Sequence, residues 1–302
     1  MTQNTSRHND NAQDSPESYF TLDHVETVTE GDNSTKEYRF TATELTASPW
    51  GQGFQHGSPP AALIAYLLEV GAHDAGLSTH DGRYARMSVD LLGAVPLRTL
   101  FGRITVIRPG RRISLLEAVV SDAQGRQCIR GRGWWLTDRD TTEVERSVAR
   151  RIPGPEQGTP ATQWLQHWSS GYIDSIDAIQ VELPDNSSQK HDDFAPGNAY
   201  AYWARSSYPT VAGSPETPWT QLMKVVDIAN GLNPELLSVK EWTYMNVDMS
   251  VYLHRMPVGE WTGILAEANY GPDGIGTTVA RIYDTSGPIG SVNQAIMLAP
   301  VS

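Results

Sequence analysis

Apolar and polar positions along this chain change period in a set order, and the order occurs twice. The first long apolar stretch, SPPAALIAYLLEV over 58–70, has no polar side. Ser58 can cap it and Pro59 and Pro60 fall in the first turn, where a missing N–H costs nothing, so the stretch predicts a helix. A helix that is apolar all round has to be enclosed by other elements. The segments 85–92, 99–108, 113–121 and 127–136 read as strands, parted by Pro96, by Pro109-Gly110 and by Asp122-Ala123-Gln124-Gly125, and they supply the enclosure. A further strand is predicted over 37–43, before a Gly- and Gln-rich loop that begins near Ser48-Pro49-Trp50-Gly51.

The second occurrence starts at Thr217-Pro218, an N-cap hydroxyl followed by proline at the first helical position. Its helix is predicted over 217–230 and closes on Asn230-Gly231, residues that tolerate the left-handed conformation. Strands follow over 244–254, 263–268, 277–283 and 289–298. Asp284-Thr285-Ser286-Gly287 repeats the earlier Asp122–Gly125 turn, and Asn246-Val247-Asp248 repeats Ser88-Val89-Asp90 at nearly the same offset. A repeat this long is a duplicated domain and not a solenoid unit. The expected organisation is a disordered polar tail at 1–17, a first domain at 18–138, a Pro- and Gly-rich linker at 139–163 and a second domain at 164–302. The polar stretch 184–193 is expected to be a surface loop.

Composition removes several classes of function. A net charge of −12 opposes non-specific binding to nucleic acid or to an anionic membrane. The single cysteine, Cys128, excludes an internal disulfide and a cysteine-based zinc site. No segment reaches the roughly 18 apolar residues of a membrane span, and the N-terminal stretch has no apolar signal region. The expectation is a soluble, cytoplasmic protein.

Within the second predicted helix, LMKVVDIANG places one carboxylate, Asp227, near the helix C-terminus among apolar neighbours. Both the helix dipole and the apolar surroundings disfavour its charged form. On its own this is compatible with a solvated or locally bonded aspartate, so Asp227 needs partners before it implies chemistry.

Five segments supply a context. QHGSPPAALIAYLLE (55–69), VDLLGAVPLRTLFGRITVIRPGRRISLLEA (89–118), VVDIANGL (225–232), EWTYMNVDMSVYLHRMPVGEW (241–261) and GSVNQAIML (290–298), in this order, resemble the TesB-like acyl-CoA thioesterases, in particular the branch common in actinobacteria. The resemblance implies an α+β double hotdog fold, two tandem repeats each with a long central helix wrapped by a curved antiparallel sheet. It implies hydrolysis of acyl-CoA without metal or organic cofactor, CoA being part of the substrate. It also implies a catalytic set that falls on Asp227, Asn246 and Gln294. Asn246 departs from the better-known bacterial enzymes, which carry a hydroxyl at that position.

Those residue types suit the chemistry. Thioester hydrolysis needs a base for the attacking water and donors for the oxyanion. Asp227 can serve as base, and the amides of Asn246 and Gln294 can orient water without competing as bases. By the repeat, the first-half counterparts are Ser88, Arg132 and the region 65–69, which lack the trio, so one site per duplicated pair is expected. Backbone N–H groups at Gly57 and Ser58, where the first helix begins, are candidate oxyanion donors. His56 is a candidate to polarise the carbonyl, against a purely structural role. Arg108, Arg111 and Arg112 form a candidate site for CoA phosphates, against a solvated hairpin turn. Asp90 and Asp248 are expected near the site or its relic, where they satisfy backbone groups. An acyl-CoA-binding module without turnover is the alternative reading. A hydratase of the same fold type would need a histidine five residues after Asp227, where Leu232 stands. Open sheet edges lead us to expect a homo-oligomer.

Overall fold

The structure is a computed structural model and describes residues 17–30, 33–77, 81–183, 200–232 and 241–301. The polar N-terminus before Glu17, the stretch 184–193 and Asn233-Pro234 lie outside the described residues.

Helix α1 (Ser58–Asp74) starts at the two prolines, and its residues from Ser58 to Ala65 are all buried. Around it curve β2 (Asn33–Ala42), β4 (Thr99–Arg108), β5 (Ile113–Asp122), β6 (Gln127–Thr137) and β3 (Gly82–Leu91), antiparallel in that spatial order. A Cβ at Gly131 on β6 would collide with Ile64 of α1, so glycine lets the sheet close onto the helix. The enclosure inferred from the all-apolar helix is therefore present. Strand β1 (Phe20–Glu30) extends the sheet outside β2 and was not anticipated. Most of it is exposed, so it carries no apolar alternation to read.

The second half adds β7 (Thr159–Pro160), α2 (Thr162–His167), β8 (Asp177–Glu182), β9 (Tyr200–Arg205), α3 (Pro218–Met223), β10 (Trp242–Asn246), β11 (Asp248–Leu253), β12 (Thr262–Tyr270), β13 (Ile275–Asp284) and β14 (Gly287–Pro300). Pairing of β3 with β11 joins the halves into one 14-stranded sheet, with β10 paired to β14 off the main path. At that junction Asp90 faces Asp248, the two members of the sequence match.

Two expectations need correction. The strand predicted over 244–254 is divided at Val247 into β10 and β11, and β14 switches partner there. Asp248 bridges the switch by accepting the Ala295 N–H at 2.7 Å, the backbone role foreseen for it. The second central helix is not long: α3 has six residues, and the chain then continues as a 3-10 helix over Val226–Gly231. The region between the halves is docked on the second sheet, since Trp203 Nε1 donates to the Pro153 carbonyl at 2.8 Å and Ile152 packs beside Trp203. One continuous core spans both halves, and Trp219 of α3 ties them by donating to the Tyr84 carbonyl at 3.0 Å.

Candidate active site

The break after α3 has a local cause. In an α-helix the Lys224 carbonyl would accept the Ile228 N–H. Here Tyr172 takes that carbonyl through its hydroxyl at 2.7 Å, and Ile228 N–H turns to Val225 at 3.2 Å. The Lys224 side chain is buried and holds the turn from the other direction. Its Nζ donates to the Tyr208 carbonyl at 2.8 Å and to that of Ser206 at 3.3 Å, and pairs with Glu216 at 2.8 Å. Thr217 is the N-cap expected for it, and a capping box with Thr220, which was not anticipated, fixes the start of α3. Beyond the break, the 3-10 turn is bonded to β10 and β14.

Asp227 lies in that turn with 5% exposure. Its Oδ1 accepts from Asn246 Nδ2 at 2.8 Å and from Gln294 Nε2 at 3.1 Å; Gln294 also donates to the Asp227 carbonyl at 3.2 Å. Three residues far apart in sequence thus meet, supplied by the 3-10 turn, the end of β10 and the middle of β14. Burial raises the Asp227 pKa to about 6, opposed by the two amide hydrogen bonds. The amide donors hold the carboxylate itself, while Oδ2 turns towards the first half. A Cβ at Gly57 would sit 2.5 Å from Oδ2, so the start of α1 approaches the acid as only glycine allows.

His56 Nδ1 stands 3.6 Å from Asp227 Oδ2. This is no ion pair. Nδ1 accepts the Ser58 N–H at 3.1 Å, the ring stacks on Tyr172 at 4.2 Å, and burial lowers the His56 pKa to about 3. His56 is neutral, with its proton on Nε2. The same bond occupies the Ser58 N–H, and the Ser58 hydroxyl is buried away from solvent. Ser58 therefore leaves the set of oxyanion donors. With Pro59 and Pro60 contributing none, Gly57 N–H is the remaining candidate at the helix start.

A cavity of about 400 Å³ opens beside these groups and is bordered by Asp227, Asn246, His56, Gly57, by Leu91 at the end of β3, and by Gly93, Ala94 and Val95 beyond it. The arginine hairpin is at the wrong end for it. Arg108 leads into the β4–β5 turn, and the register carries that turn to the Gly82–Thr137 end of the sheet. The ten-residue strand from Gly82 to Leu91 separates it from the cavity by about 30 Å. Arg108, Arg111 and Arg112 are thus not at the mouth within one chain. Arg126 stands nearer, since its guanidinium donates to the carbonyl of the lining residue Ala94 at 3.1 Å and to Asp122 at 3.0 Å. The sequence offered no signal for it, nor for Trp50, Trp168 and Tyr244 in the cavity wall, because β-sheet register and a distant loop assemble them.

Among the described residues no group of three His, Cys, Asp or Glu side chains could hold a metal, and no helix is long and apolar enough to cross a membrane.

A buried acid held by two amides thus sits beside a cavity, at the meeting of a broken helix and a curved antiparallel sheet. Two family models match the sequence: the acyl-CoA thioesterase N-terminal domain over residues 46–136 and the acyl-CoA thioesterase C-terminal domain over residues 154–298. The chain belongs to the acyl-CoA thioesterase family. Solved structures share the fold at low identity. A thioesterase candidate from Novosphingobium aromaticivorans is 18% identical, with a TM-score of 0.64 over 90% of this chain and 97% of that one. A hot dog fold protein from Alicyclobacillus acidocaldarius is 11% identical, with a TM-score of 0.64 over 91% and 97%. Acyl-CoA thioesterase II TesB2 from Mycobacterium marinum is 14% identical, with a TM-score of 0.60 over 92% and 97%. No curated protein matches the sequence.

Proposed function

We propose that this protein hydrolyses acyl-CoA thioesters with water activated by Asp227, and that its two halves are tandem hotdog repeats sharing this one site. The observation that carries the reading is the Asp227 carboxylate, buried, held at Oδ1 by Asn246 and Gln294, and open at Oδ2 towards the cavity. A water at Oδ2 gives its proton to Asp227 as its oxygen bonds to the thioester carbon. Gly57 N–H, and Nε2–H of neutral His56, are the groups suited to the carbonyl oxygen as charge develops there. Collapse of the adduct breaks the C–S bond, and the proton on Asp227 passes to the departing CoA thiolate. The products are a free acid and CoA. No metal or organic cofactor enters these steps.

Thiol release from a panel of acyl-CoAs tests the proposal. Asp227→Ala is expected to lower kcat/KM about 10³-fold, the scale of a general base. Tight acyl-CoA binding by the wild type without any thiol release would instead support the binding module. Since the base must be ionised, kcat/KM is expected to rise with pH through about 6 and to level off above it. A flat profile between pH 5 and 8 removes Asp227 as base. A hydratase reading gains nothing, because Leu232 is a buried core residue. The long open edge at β1 supports a homo-oligomer, which light scattering checks, and the proposed location is cytoplasmic.

A further inference from the structure

Asp227 and His56 come from different halves of the chain and no hydrogen bond joins them, so a third group has to set the 3.6 Å between Oδ2 and Nδ1. One side chain touches both sides. Tyr172 stands between α2 and β8, at the start of the 3-10 turn Ile173–Ser175, and is fully buried. Its hydroxyl donates to the Lys224 carbonyl at 2.7 Å, three residues before the acid. Its ring lies 4.2 Å from that of His56, with 18° between the two planes.

Tyr172 is itself held. Its N–H donates to the Ala47 carbonyl at 3.1 Å, while the adjacent Thr46 carbonyl accepts the His56 N–H at 2.9 Å. The two stacked residues therefore hang from neighbouring peptides. The Tyr172 carbonyl accepts the Ser175 hydroxyl at 2.6 Å, and that hydroxyl is met at 2.7 Å by Tyr19, whose ring flanks Tyr172 at 6.2 Å.

Each of the two contacts removes a freedom that would undo the site. With the Lys224 carbonyl occupied, the chain beyond it winds at 3.0 residues per turn; with that carbonyl free for the Ile228 N–H it would wind at about 3.6. Over the three residues to Asp227 the difference is about 60° of rotation, enough to carry the carboxylate off the amides of Asn246 and Gln294. The stack, for its part, blocks rotation of the His56 ring and keeps it in the plane in which Nδ1 meets the Ser58 N–H at 3.1 Å. Resting on the hydrolase reading above, we propose that Tyr172 is the positioning residue of this site, holding the Asp227 turn with its hydroxyl and the His56 ring with its face. A tyrosine from outside both helices thereby sets the base and the neutral imidazole at one spacing.

The test compares Tyr172→Phe, which keeps the stack and deletes the hydroxyl, with Tyr172→Leu, which deletes both. Thiol release is followed with acetyl-, decanoyl-, palmitoyl- and phenylacetyl-CoA. In Tyr172→Phe kcat is expected to fall about 10²-fold with KM within about threefold of wild type, the cost of misplacing the base by about 1 Å. Tyr172→Leu should lose about tenfold more, as the imidazole is released as well. The groups facing Asp227 are the neutral His56 ring, the two amides and the Tyr172 phenol, and Lys224 Nζ is engaged by Glu216 at 2.8 Å, so the Asp227 titration reports on the amides. Those amides hold its pKa down, and their loss in Tyr172→Phe is expected to move the midpoint of the kcat/KM profile above about 6. A residue that only supported the fold would lower activity in step with the folded fraction and leave the midpoint in place. An unmoved midpoint, an unchanged kcat in Tyr172→Phe, or equal losses in the two variants overturns the assignment. Carboxyl ¹³C NMR, with the Asp227 signal identified by its loss in Asp227→Asn, reads the same shift without substrate. A raised pKa in Tyr172→Phe with no thiol released by the wild type would sink the hydrolase and keep the positioning role; an unchanged pKa beside an active wild type would sink the positioning role alone.

Discussion

Helices α1 and α3 pack against each other, and the two differ in the state of their hydrogen-bond ladder. In α1 the helix runs on for 17 residues, packed by the strands β3 to β6 along its length. In α3 the ladder opens after six residues, where Tyr172 captures the Lys224 carbonyl and Lys224 Nζ is drawn to Tyr208 and Glu216. The intact helix serves as core. The opened one gains a 3-10 turn whose side chains face β10 in register, and it carries the acid. Both bear a carboxylate raised by burial, Glu69 to about 7 and Asp227 to about 6. Only Asp227 meets two side-chain amides and a cavity; Glu69 accepts the Thr217 hydroxyl at 2.6 Å, which pins α1 to the start of α3. A perturbed pKa marks both carboxylates, and the surrounding donors and space single out Asp227 as the proposed base.

The sharpest way to break this comparison is to close the ladder. Lys224→Met removes a buried cation from half-buried Glu216 and releases the carbonyls of Ser206 and Tyr208. Stability in a urea titration is expected to fall by about 3 kcal/mol or more, as for other broken buried pairs. Thiol release should fall with it, even where the variant remains folded. Unchanged stability would mean that the lysine does not hold the turn.

A second comparison uses pH. A carboxylate whose folded pKa is raised above about 3.9 favours the fold below that pH and loses the contribution as pH rises through its folded value, about 6 for Asp227. Asp227→Asn is therefore expected to stabilise the protein at pH 8, by at most about 3 kcal/mol, with the gain vanishing near pH 4. Glu69→Gln should show the same sign, with its loss centred near pH 7 and a smaller amplitude because this group is partly exposed. The pair parts company in activity, since Asp227→Asn removes the base and Glu69→Gln leaves it in place. Equal loss of turnover in both would refute the distinction between the helices.

The smallest change is one methyl group. Gly57→Ala puts a Cβ 2.5 Å from Asp227 Oδ2, well inside contact distance, and displacing that oxygen by about 1 Å is expected to lower kcat/KM on the order of 10²-fold. The fold should persist, since Gly57 has ordinary right-handed helical angles. Wild-type kinetics in this variant would show that Oδ2 has freedom to move.

Much of this was legible beforehand, and the limits have physical causes. The cap at Thr217-Pro218, the prolines opening α1 and the alternation of β3 to β6 are local signals, and they appear where expected. The continuous second helix was wrong because its break depends on Tyr172 and on the carbonyls of Ser206 and Tyr208, none of which a helical window contains. Asn230 was legible as a helix stop, but its side chain donates to the Tyr244 carbonyl at 2.9 Å and ties the turn to β10. The arginine cluster was visible as charge, yet only the strand register shows that it lies at the far end of the sheet from the acid.

The sequence by itself determined what depends on neighbours within a turn or a strand: an apolar helix needing enclosure, a duplicated element order, an acid among apolar residues, and the motifs that place the chain in its family. The tertiary structure decided where those parts face. Hydrogen bonds from residues dozens of positions away opened the second helix, and strand register brought Asn246 and Gln294 onto one oxygen of Asp227 while carrying the arginines away from it. Pattern is a short-range property of a chain, whereas a site is a set of distances, and distances between remote residues exist only once the chain has packed.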